Sequence, residues 1–448
     1  MDRHSQAEGL SLKLPVADGA LETYRLLGPR EFERPGLPFT RRALAAAHVV
    51  ADPLSTRDPW LEPAIDWDAT LAYRRHLWSW GVGLAEAMDT AQRGMGLDWK
   101  NSLELIGRTL DAAKDVKGAV VFSGAGTDQV AQADVAGVIA AYEEQCAAIE
   151  KLGGRIIVMA SRALAASAKS PEDYGRVYDR ILGEVKQPVI LHWLGEMFDP
   201  ALQGYWGKKD HAAAMDVCLD VIRRNAAKVD GIKISLLDKD KEIVMRRKLP
   251  PGVRMYTGDD FNFAELIEGD AQGHSDALLG IFDSIAPAAS AALGALAAGN
   301  KAGYHEILAP TVPLSRHIFC APTRFYKTGV VFMAWLNGHQ EHFVMVGGQQ
   351  SARHVLHFAE LFRLADAAGL LADPPLACAR MRQLLALNGC GRRNSAAVSA
   401  PRRTTSASRF RRCGMLSSRR RCWCSAACSS RRTASSPLRA SSAAPNRT

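Results

Sequence analysis

Short apolar segments alternate with longer amphipathic segments through roughly the first two thirds of the chain. Each apolar segment has the length of a buried strand, and apolar residues at helical spacing follow most of them. The predicted strands cover residues 44–51, 83–88, 118–122, 155–160, 187–193, 228–235, 253–260 and 277–282. Alternating strands and helices favour a parallel sheet, and eight such units predict an α/β fold, a closed (β/α)8 TIM barrel. No glycine cluster of the kind found in doubly wound sheets follows the first strand.

The remaining segments differ from the barrel in pattern and composition. Residues 1–43 contain several prolines between short apolar stretches, and we expect them to form an N-terminal arm. The barrel is assigned to residues 44–295, and residues 296–388 are predicted to be C-terminal helices. Residues 389–448 form a tail rich in Arg, Ser, Ala and Cys, which we expect to be disordered, and which has the composition of a frameshift product.

The positive net charge comes from this tail. Since the chain has a net charge of +9 and the tail carries fourteen arginines without Lys, Asp or Glu, the rest of the chain carries −5. Arginine runs such as 419–421 can neutralise phosphates, so binding of nucleic acid or another anion is one alternative function. We nevertheless expect no nucleic-acid partner, because the tail shows no periodicity and the predicted catalytic part is mildly acidic.

Cysteine spacing and hydropathy indicate a reduced, cytoplasmic protein. Five of the nine cysteines lie in the tail, and the other four are too far apart for a metal-ligand motif or a disulfide framework. The sequence shows neither the apolar core of a signal peptide nor a run of about 18 apolar residues. We therefore expect no membrane association.

Lys233 lies inside the short apolar run of segment 228–235. In a strand, alternation places Gly231, Lys233 and Ser235 on one face. If that face is buried, the pKa of the lysine falls from ~10.4 toward neutrality, and the amine can attack a carbonyl carbon to form an imine. Alternatively, Lys233 ends an exposed strand, and only its stem contacts apolar surface.

Polar residues follow several of the predicted strands at their carboxyl ends, where TIM barrels carry their active sites. His192 ends one strand, Asp89 and Thr90 follow another, and Gly258 with Asp259 ends a third. A histidine with a pKa near 6.5 can both accept and donate a proton at neutral pH. These residues are therefore candidates for proton transfer and substrate binding.

With its segments in this order, the chain resembles the dihydrodipicolinate synthase and N-acetylneuraminate lyase superfamily of class I aldolases. It looks like a divergent bacterial branch of that superfamily. The resemblance covers residues 44–387. Gly231-Ile232-Lys233 matches the family strand whose lysine forms a Schiff base with a 2-oxo acid. The Gly-Asp-Asp sequence at 258–260 matches the next strand, and Ser-Gly-Ala-Gly-Thr at 123–127 is similar to the family's Gly-Thr-Gly-Ala turn.

Several positions depart from the family pattern. Thr90 matches the second threonine of the family's Gly-Thr-Thr-Gly-Glu loop, which grips the pyruvate carboxylate, but Asp89 precedes it here. His192 stands where the family has a proton-relaying tyrosine, and Arg162 lies where it has an aromatic residue. Met197 replaces an arginine that binds a dicarboxylate, so the resemblance does not imply a role in lysine biosynthesis.

We predict Lys233, His192 and Thr90 as catalytic residues. The predicted substrate-binding residues are Asp89, Ser123, Arg162, Gly258 and Asp259. Three of these roles have structural alternatives: His192 only orders water, Asp89 caps its loop, and Asp259 bonds backbone amides. Arg162 would clamp an anionic group with its planar guanidinium.

The predicted function is that of a Schiff-base-forming lyase or aldolase acting on a 2-oxo acid or sugar-acid-like carbonyl compound. Because the imine serves as the electron sink, no metal or organic cofactor is expected. The predicted partners are the small-molecule carbonyl substrate and further copies of the chain in a homo-oligomer, which is the habit of the family. An alternative on the same barrel is a metal-dependent aldolase or isomerase, with ligands from His192, Glu196, Asp89, Asp259 and His274.

Overall fold

A computed structural model describes residues 9–36 and 38–390, so the predictions for the tail beyond residue 390 lie outside the described residues. An antiparallel hairpin of β1 (Ser11–Pro15) and β2 (Leu21–Arg25) opens this part of the chain. Eight parallel strands of the described chain then close into a barrel, in which the last strand pairs with the first. They are β3 (Ala43–Ala46), β4 (Gly83–Glu86), β5 (Val121–Ala125), β6 (Arg155–Val158), β7 (Val189–Leu194), β8 (Val229–Ser235), β9 (Arg254–Thr257) and β10 (Asp276–Leu279). The predicted TIM barrel is confirmed.

Side chains of the barrel strands alternate between the barrel interior and the surrounding helices. Phe122, Ile190 and Tyr256 belong to the apolar cluster that fills the interior. Lys233 is in register with His192 on one side and with Tyr256 on the other. Because paired residues of neighbouring parallel strands face the same side, all three point into the barrel. The side chain of Lys233 therefore points into the barrel, as its position in the strand predicts.

Helices of the barrel layer begin at good capping residues. The side chains of Asp66, Asp98, Asp134, Asp210 and Asp238 accept hydrogen bonds from backbone amides in the first turns of five helices. The helices are α1 (Trp67–Ser79), α2 (Trp99–Ala113), α3 (Val135–Lys151), α4 (Arg162–Ser167), α5 (Pro171–Glu184), α6 (His211–Arg224), α7 (Lys239–Lys248), α8 (Phe263–Glu268), α9 (Ile281–Ser284) and α10 (Ala286–Ala297). In the described part of the chain, no helix combines the length and apolar character needed to cross a bilayer.

A C-terminal group of helices covers one side of the barrel mouth. It consists of α11 (Lys301–Leu308), α12 (Thr311–Ile318), α13 (Tyr326–Leu336), α14 (Val355–Ala367) and α15 (Pro374–Leu387). Every residue of α13 is buried, and this helix packs against α9 and the helical turn Asp89–Ala91 at the carboxyl end of β4. The N-terminal hairpin packs on α14, where the Tyr24 hydroxyl donates to Asp366 at 2.7 Å. The C-terminal extension therefore contributes residues to the mouth.

The bounds of several elements differ from the sequence-based prediction. The third barrel strand begins at Val121 rather than at residue 118, because Gly118 has a positive φ of 80° and belongs to the turn after α2. Helix α7 follows β8, where a helix-like segment is expected, although its residues are mostly charged and show no apolar stripe. The predicted boundary between barrel and C-terminal helices at 295/296 falls within the last turn of α10.

A fully buried ion pair joins α1 to β4, and it predicts a stability difference. Two guanidinium nitrogens of Arg74 lie 3.0 and 2.9 Å from the carboxylate oxygens of Glu86, which also accepts from Thr109 at 2.7 Å. We expect Arg74→Met to lower the free energy of unfolding by about 3–5 kcal/mol, because it leaves a buried carboxylate unpaired. The double variant Arg74→Met/Glu86→Leu should lose much less in denaturant unfolding. Equal losses in both variants would contradict this explanation.

Candidate active site

Lys233 lies in the second half of β8, and its side chain extends toward the mouth of the barrel. It is 7% exposed, and its Nζ forms no hydrogen bond or ion pair with any residue of the described chain. Gly258, directly after β9, leaves room for the lysine stem, since a Cβ at this position would lie 2.6 Å from the Lys233 Cε. Gly258, predicted as a substrate contact, thus borders the lysine.

Two carboxylates affect the charge of this amine. Burial lowers the pKa of Lys233, and the negative charges of Asp260 and then Asp89 oppose that shift. Asp260 accepts a hydrogen bond from the Ile281 amide at 2.9 Å, and burial raises its pKa to about 7. Because burial favours the neutral form of both groups, a larger fraction of the amine is uncharged, and so able to attack a carbonyl, than in an exposed lysine.

His192 is the inward-facing neighbour of Lys233 on β7. Its Nε2 lies 3.3 Å from the Ser235 hydroxyl, while Nδ1 has no hydrogen-bond partner among the described residues. Burial, and to a smaller extent the charge of Lys233, lowers the pKa of His192 well below its usual value. The imidazole is therefore neutral at pH 7, and one ring nitrogen is available to accept a proton.

A cavity of about 260 Å³ lies at the carboxyl ends of β4 to β7. His192, Asp89 and Arg162 are among its lining residues, whereas Lys233 is not. A carbonyl compound in this cavity meets His192 before Lys233. Imine formation therefore requires the carbonyl carbon to pass His192 and reach the nearly buried Nζ.

Ion pairs occupy most charged groups around the cavity. Arg93 pairs with Asp128 at 2.6 Å, and Arg162, half-exposed at the start of α4, pairs with Asp199. The predicted anion clamp Arg162 therefore already holds a carboxylate. Binding a substrate anion through Arg162 would require that pair to open or to be shared.

A hydroxyl pair connects the barrel to the C-terminal helices. The Thr90 Oγ1 lies 2.8 Å from the hydroxyl of Tyr326, the first residue of α13. The Tyr326 ring stacks on Phe319 at a centroid distance of 4.3 Å. Thr90 is thus held by a tyrosine far away in sequence, which the sequence analysis did not identify.

A second buried lysine follows this tyrosine. Lys327 is 4% exposed, and its Nζ lies 3.3 Å from both the Met95 Sδ and the Arg324 carbonyl. Burial lowers its pKa to about 8, against the opposing charge of Asp89. The only sequence signal for this site would have been Tyr326-Lys327 at the start of an otherwise apolar helix. Lys327 is the competing candidate for an amine nucleophile.

A family comparison covers most of the chain that carries this geometry. The family model described as "Protein of unknown function (DUF993)" matches residues 12–390. The chain belongs to this family. No curated protein matches the chain.

Solved structures resemble this DUF993 protein in fold. YagE from E. coli K12, a prophage protein of the dihydrodipicolinic acid synthase family solved with pyruvate, matches with a TM-score of 0.58 and 15% identity, covering 74% of this chain and 99% of its own. The dihydrodipicolinate synthases of Aquifex aeolicus (TM-score 0.56, 12% identity, 74% and 99% covered) and Oceanobacillus iheyensis (0.55, 15%, 73% and 96%) match similarly. The predicted resemblance to this superfamily is confirmed at the level of the fold.

Ser123 does not join the other candidates in this DUF993 protein. It is in register with Glu86, whose carboxylate contacts Arg74 on α1 and Thr109 on α2. Ser123 therefore faces the helix layer, and its hydroxyl is buried without a hydrogen-bond partner among the described residues. The prediction that Ser123 contacts substrate is corrected: the side chain points away from the mouth.

The carboxylate of Asp259 is hydrogen-bonded to groups of its own loop. Its carboxylate accepts hydrogen bonds from the amides of Phe261 and Asn262 at 2.8 and 3.1 Å, and from the Asn262 side chain at 2.9 Å. This arrangement matches the structural alternative considered for Asp259. Burial nevertheless raises its pKa.

The residues proposed for a metal site do not converge. His274 precedes β10 and so lies at the amino end of the barrel, opposite the mouth, while Glu196 contacts His211 at 3.3 Å. Asp259 bonds its own loop. No group of three or more His, Cys, Asp or Glu side chains within the described ranges is arranged to hold a metal ion. The inclusion of His274 in this ligand set is therefore wrong.

Proposed function

We propose that this DUF993 protein is a class I aldolase-type lyase in which Lys233 forms an imine with a small carbonyl substrate. A carbon–carbon or carbon–oxygen bond near the imine carbon is then made or broken. The main observation in favour is a nearly buried amine, without hydrogen bonds among the described residues, beside a neutral histidine at the mouth of a TIM barrel. The fold shared with dihydrodipicolinate synthases is compatible with this chemistry.

Each neighbouring group has a role in this proposal. His192 accepts the proton that leaves the substrate as the bond breaks, and later returns it. Asp260, with its pKa near 7, supplies a proton as the carbinolamine loses water. Thr90, fixed by Tyr326, orients the substrate. The imine takes up the electron pair, so the chemistry requires no metal or organic cofactor.

The substrate class includes 2-oxo acids and sugar-acid-like carbonyl compounds. Pyruvate is a useful first probe, because the YagE structure contains it. Arg162 would contact an anionic group at the far end of the substrate. A homo-oligomeric state and a cytoplasmic location stay predictions from the sequence.

Reductive trapping tests the proposal directly. We expect the protein, incubated with a panel of small ketones and 2-oxo acids plus cyanoborohydride, to gain one covalent adduct, because this reagent reduces an imine to a stable amine. Peptide mapping by mass spectrometry should locate the adduct on Lys233. Absence of any adduct across the panel, or modification spread over exposed lysines such as Lys114, would contradict the proposal.

A further inference from the structure

Asp89 is the uncommitted carboxylate of the cavity. It opens the helical turn Asp89–Ala91 directly after β4, and it lines the same cavity as His192. Its carboxylate forms no hydrogen bond or ion pair with another residue of the described chain, unlike Asp128 and Asp199, which pair with arginines. A ligand group beside Asp89 therefore meets an unneutralised hydrogen-bond acceptor.

The charge of Asp89 reaches both buried lysines. It opposes the effect of burial on the pKa of Lys233, after Asp260, and on the pKa of Lys327. A carbonyl compound that reaches Lys233 from the cavity is therefore exposed to the negative charge of Asp89. A substrate carboxylate attached directly to that carbonyl would be repelled there, since like charges at short range oppose binding.

The cations near the cavity are engaged elsewhere. Arg93 bonds Asp128 and the Gly124 carbonyl, and Arg162 bonds Asp199. The Nζ of Lys327 contacts the Met95 sulfur and a backbone carbonyl. A substrate carboxylate would therefore have to displace a carboxylate partner from Arg93 or Arg162, whereas a hydroxyl group could donate to Asp89 without any rearrangement.

From this arrangement we propose that the substrate of Lys233 is a neutral dihydroxy-ketone. Asp89 accepts a hydrogen bond from a hydroxymethyl group on one side of the carbonyl, and the second hydroxyl is on the β carbon of the other side. The inference rests on the proposed function. Among the substrates proposed there, it favours neutral hydroxy compounds over 2-oxo acids. Asp89 is then a specificity-determining residue. Its carboxylate favours binding of a substrate that has a hydroxymethyl group at the position where a 2-oxo acid has a carboxylate.

The reaction balances for such a substrate. The Lys233 nitrogen bonds to the carbonyl carbon, whose oxygen leaves as water. His192 takes the proton of the β-hydroxyl group, the bond between the α and β carbons breaks, and its electron pair enters the enamine as an aldehyde departs. The protonated His192 returns its proton to the α carbon, and water releases the shorter ketone and the free amine.

Hydroxyacetone and pyruvate form a matched pair of probes. Both carry a methyl ketone, and they differ only in a hydroxymethyl group against a carboxylate. We expect cyanoborohydride to trap hydroxyacetone on Lys233 faster than pyruvate in the wild-type protein. In Asp89→Asn, the ratio of pyruvate to hydroxyacetone trapping should rise by about tenfold or more, because the repulsion is removed.

A surface substitution with the same charge change serves as the control. Asp216→Asn alters an exposed carboxylate that pairs with Lys248 on the surface, and it should leave the trapping ratio unchanged. Faster trapping of pyruvate by the wild-type protein, or a ratio that Asp89→Asn does not move, overturns the inference while leaving the lyase proposal standing. Absence of a Lys233 adduct with both probes and with the wider panel of carbonyl compounds defeats the lyase proposal itself. If Asp89→Asn does not fold, the ratio of pyruvate to hydroxyacetone trapping in the wild-type protein still tests the inference.

Discussion

Replacing Lys233 by methionine is expected to abolish the trapped adduct and to reduce catalysis by about 10³-fold or more, because no other step can proceed without the imine. Catalysis can be followed without knowing the natural substrate. An imine acidifies the neighbouring carbon, so the methyl protons of hydroxyacetone or pyruvate should exchange with deuterium in the presence of the wild-type enzyme. Proton NMR in heavy water measures that exchange.

The decisive control is the other buried lysine. Lys327 is similarly hidden and has a pKa lowered to about 8, so it could in principle carry the adduct. Lys327→Met should retain trapping at Lys233. If the adduct persists in Lys233→Met and disappears in Lys327→Met, the nucleophile has been assigned to the wrong residue.

Stability measurements should distinguish a catalytic lysine from a structural one. Burial lowers the pKa of Lys233 below that of the unfolded chain, so unfolding takes up a proton between the two pKa values. This group therefore destabilises the fold most at low pH, and its cost shrinks as the pH rises toward ~10.4. Lys233→Met should be more stable than the wild type at pH 7, and the difference should narrow at alkaline pH. A less stable variant would mean that Lys233 supports the fold.

The barrel could be predicted because its signals are local. A strand buried on both faces reads as a short apolar run, and a lysine between two isoleucines within such a run stands out, as Lys233 does. The helices that follow begin at acidic capping residues, which the sequence displays directly. The predicted boundary is wrong where a glycine turn precedes the strand, as at Gly118 before β5.

The same limit explains the error at Ser123. The predicted strand ended at residue 122, so its alternation did not fix the direction of the next side chain. In the structure the strand continues to Ala125, and its register with Glu86 turns Ser123 toward the helices. A displacement of a few residues along a strand is enough to exchange a mouth position for a position in the helix layer.

Tyr326 and Lys327 could not be predicted for a different reason. They belong to the mouth only because α13 packs against the turn Asp89–Ala91, and that contact joins segments more than two hundred residues apart. No local pattern specifies such an approach. The composition of the rim therefore follows from how the C-terminal helices pack, while Lys233 and His192 follow from strand register alone.

His192→Phe is expected to separate imine formation from proton transfer. Phenylalanine keeps an aromatic ring in the barrel but cannot accept a proton, so trapping at Lys233 should be spared while deuterium exchange slows by about 10²-fold or more. The pKa of His192 lies well below its usual value near 6.5, so the histidine stays neutral as the pH is lowered from 8 to 6.5. Protonation of His192 should therefore not slow deuterium exchange by the wild-type protein in this interval. Rates are measured by NMR across that interval, with the trapped fraction determined in parallel.

Ser235→Ala provides the matched comparison for this histidine. It removes the hydroxyl 3.3 Å from the His192 Nε2 but leaves the imidazole in place, so exchange should slow far less than in His192→Phe. If trapping and exchange fall together in His192→Phe, the residue maintains the shape of the mouth and does not move protons. If neither falls, His192 orders water at the barrel mouth, and the base must be sought among the other groups that face the imine, beginning with Asp260, whose pKa near 7 already suits proton transfer.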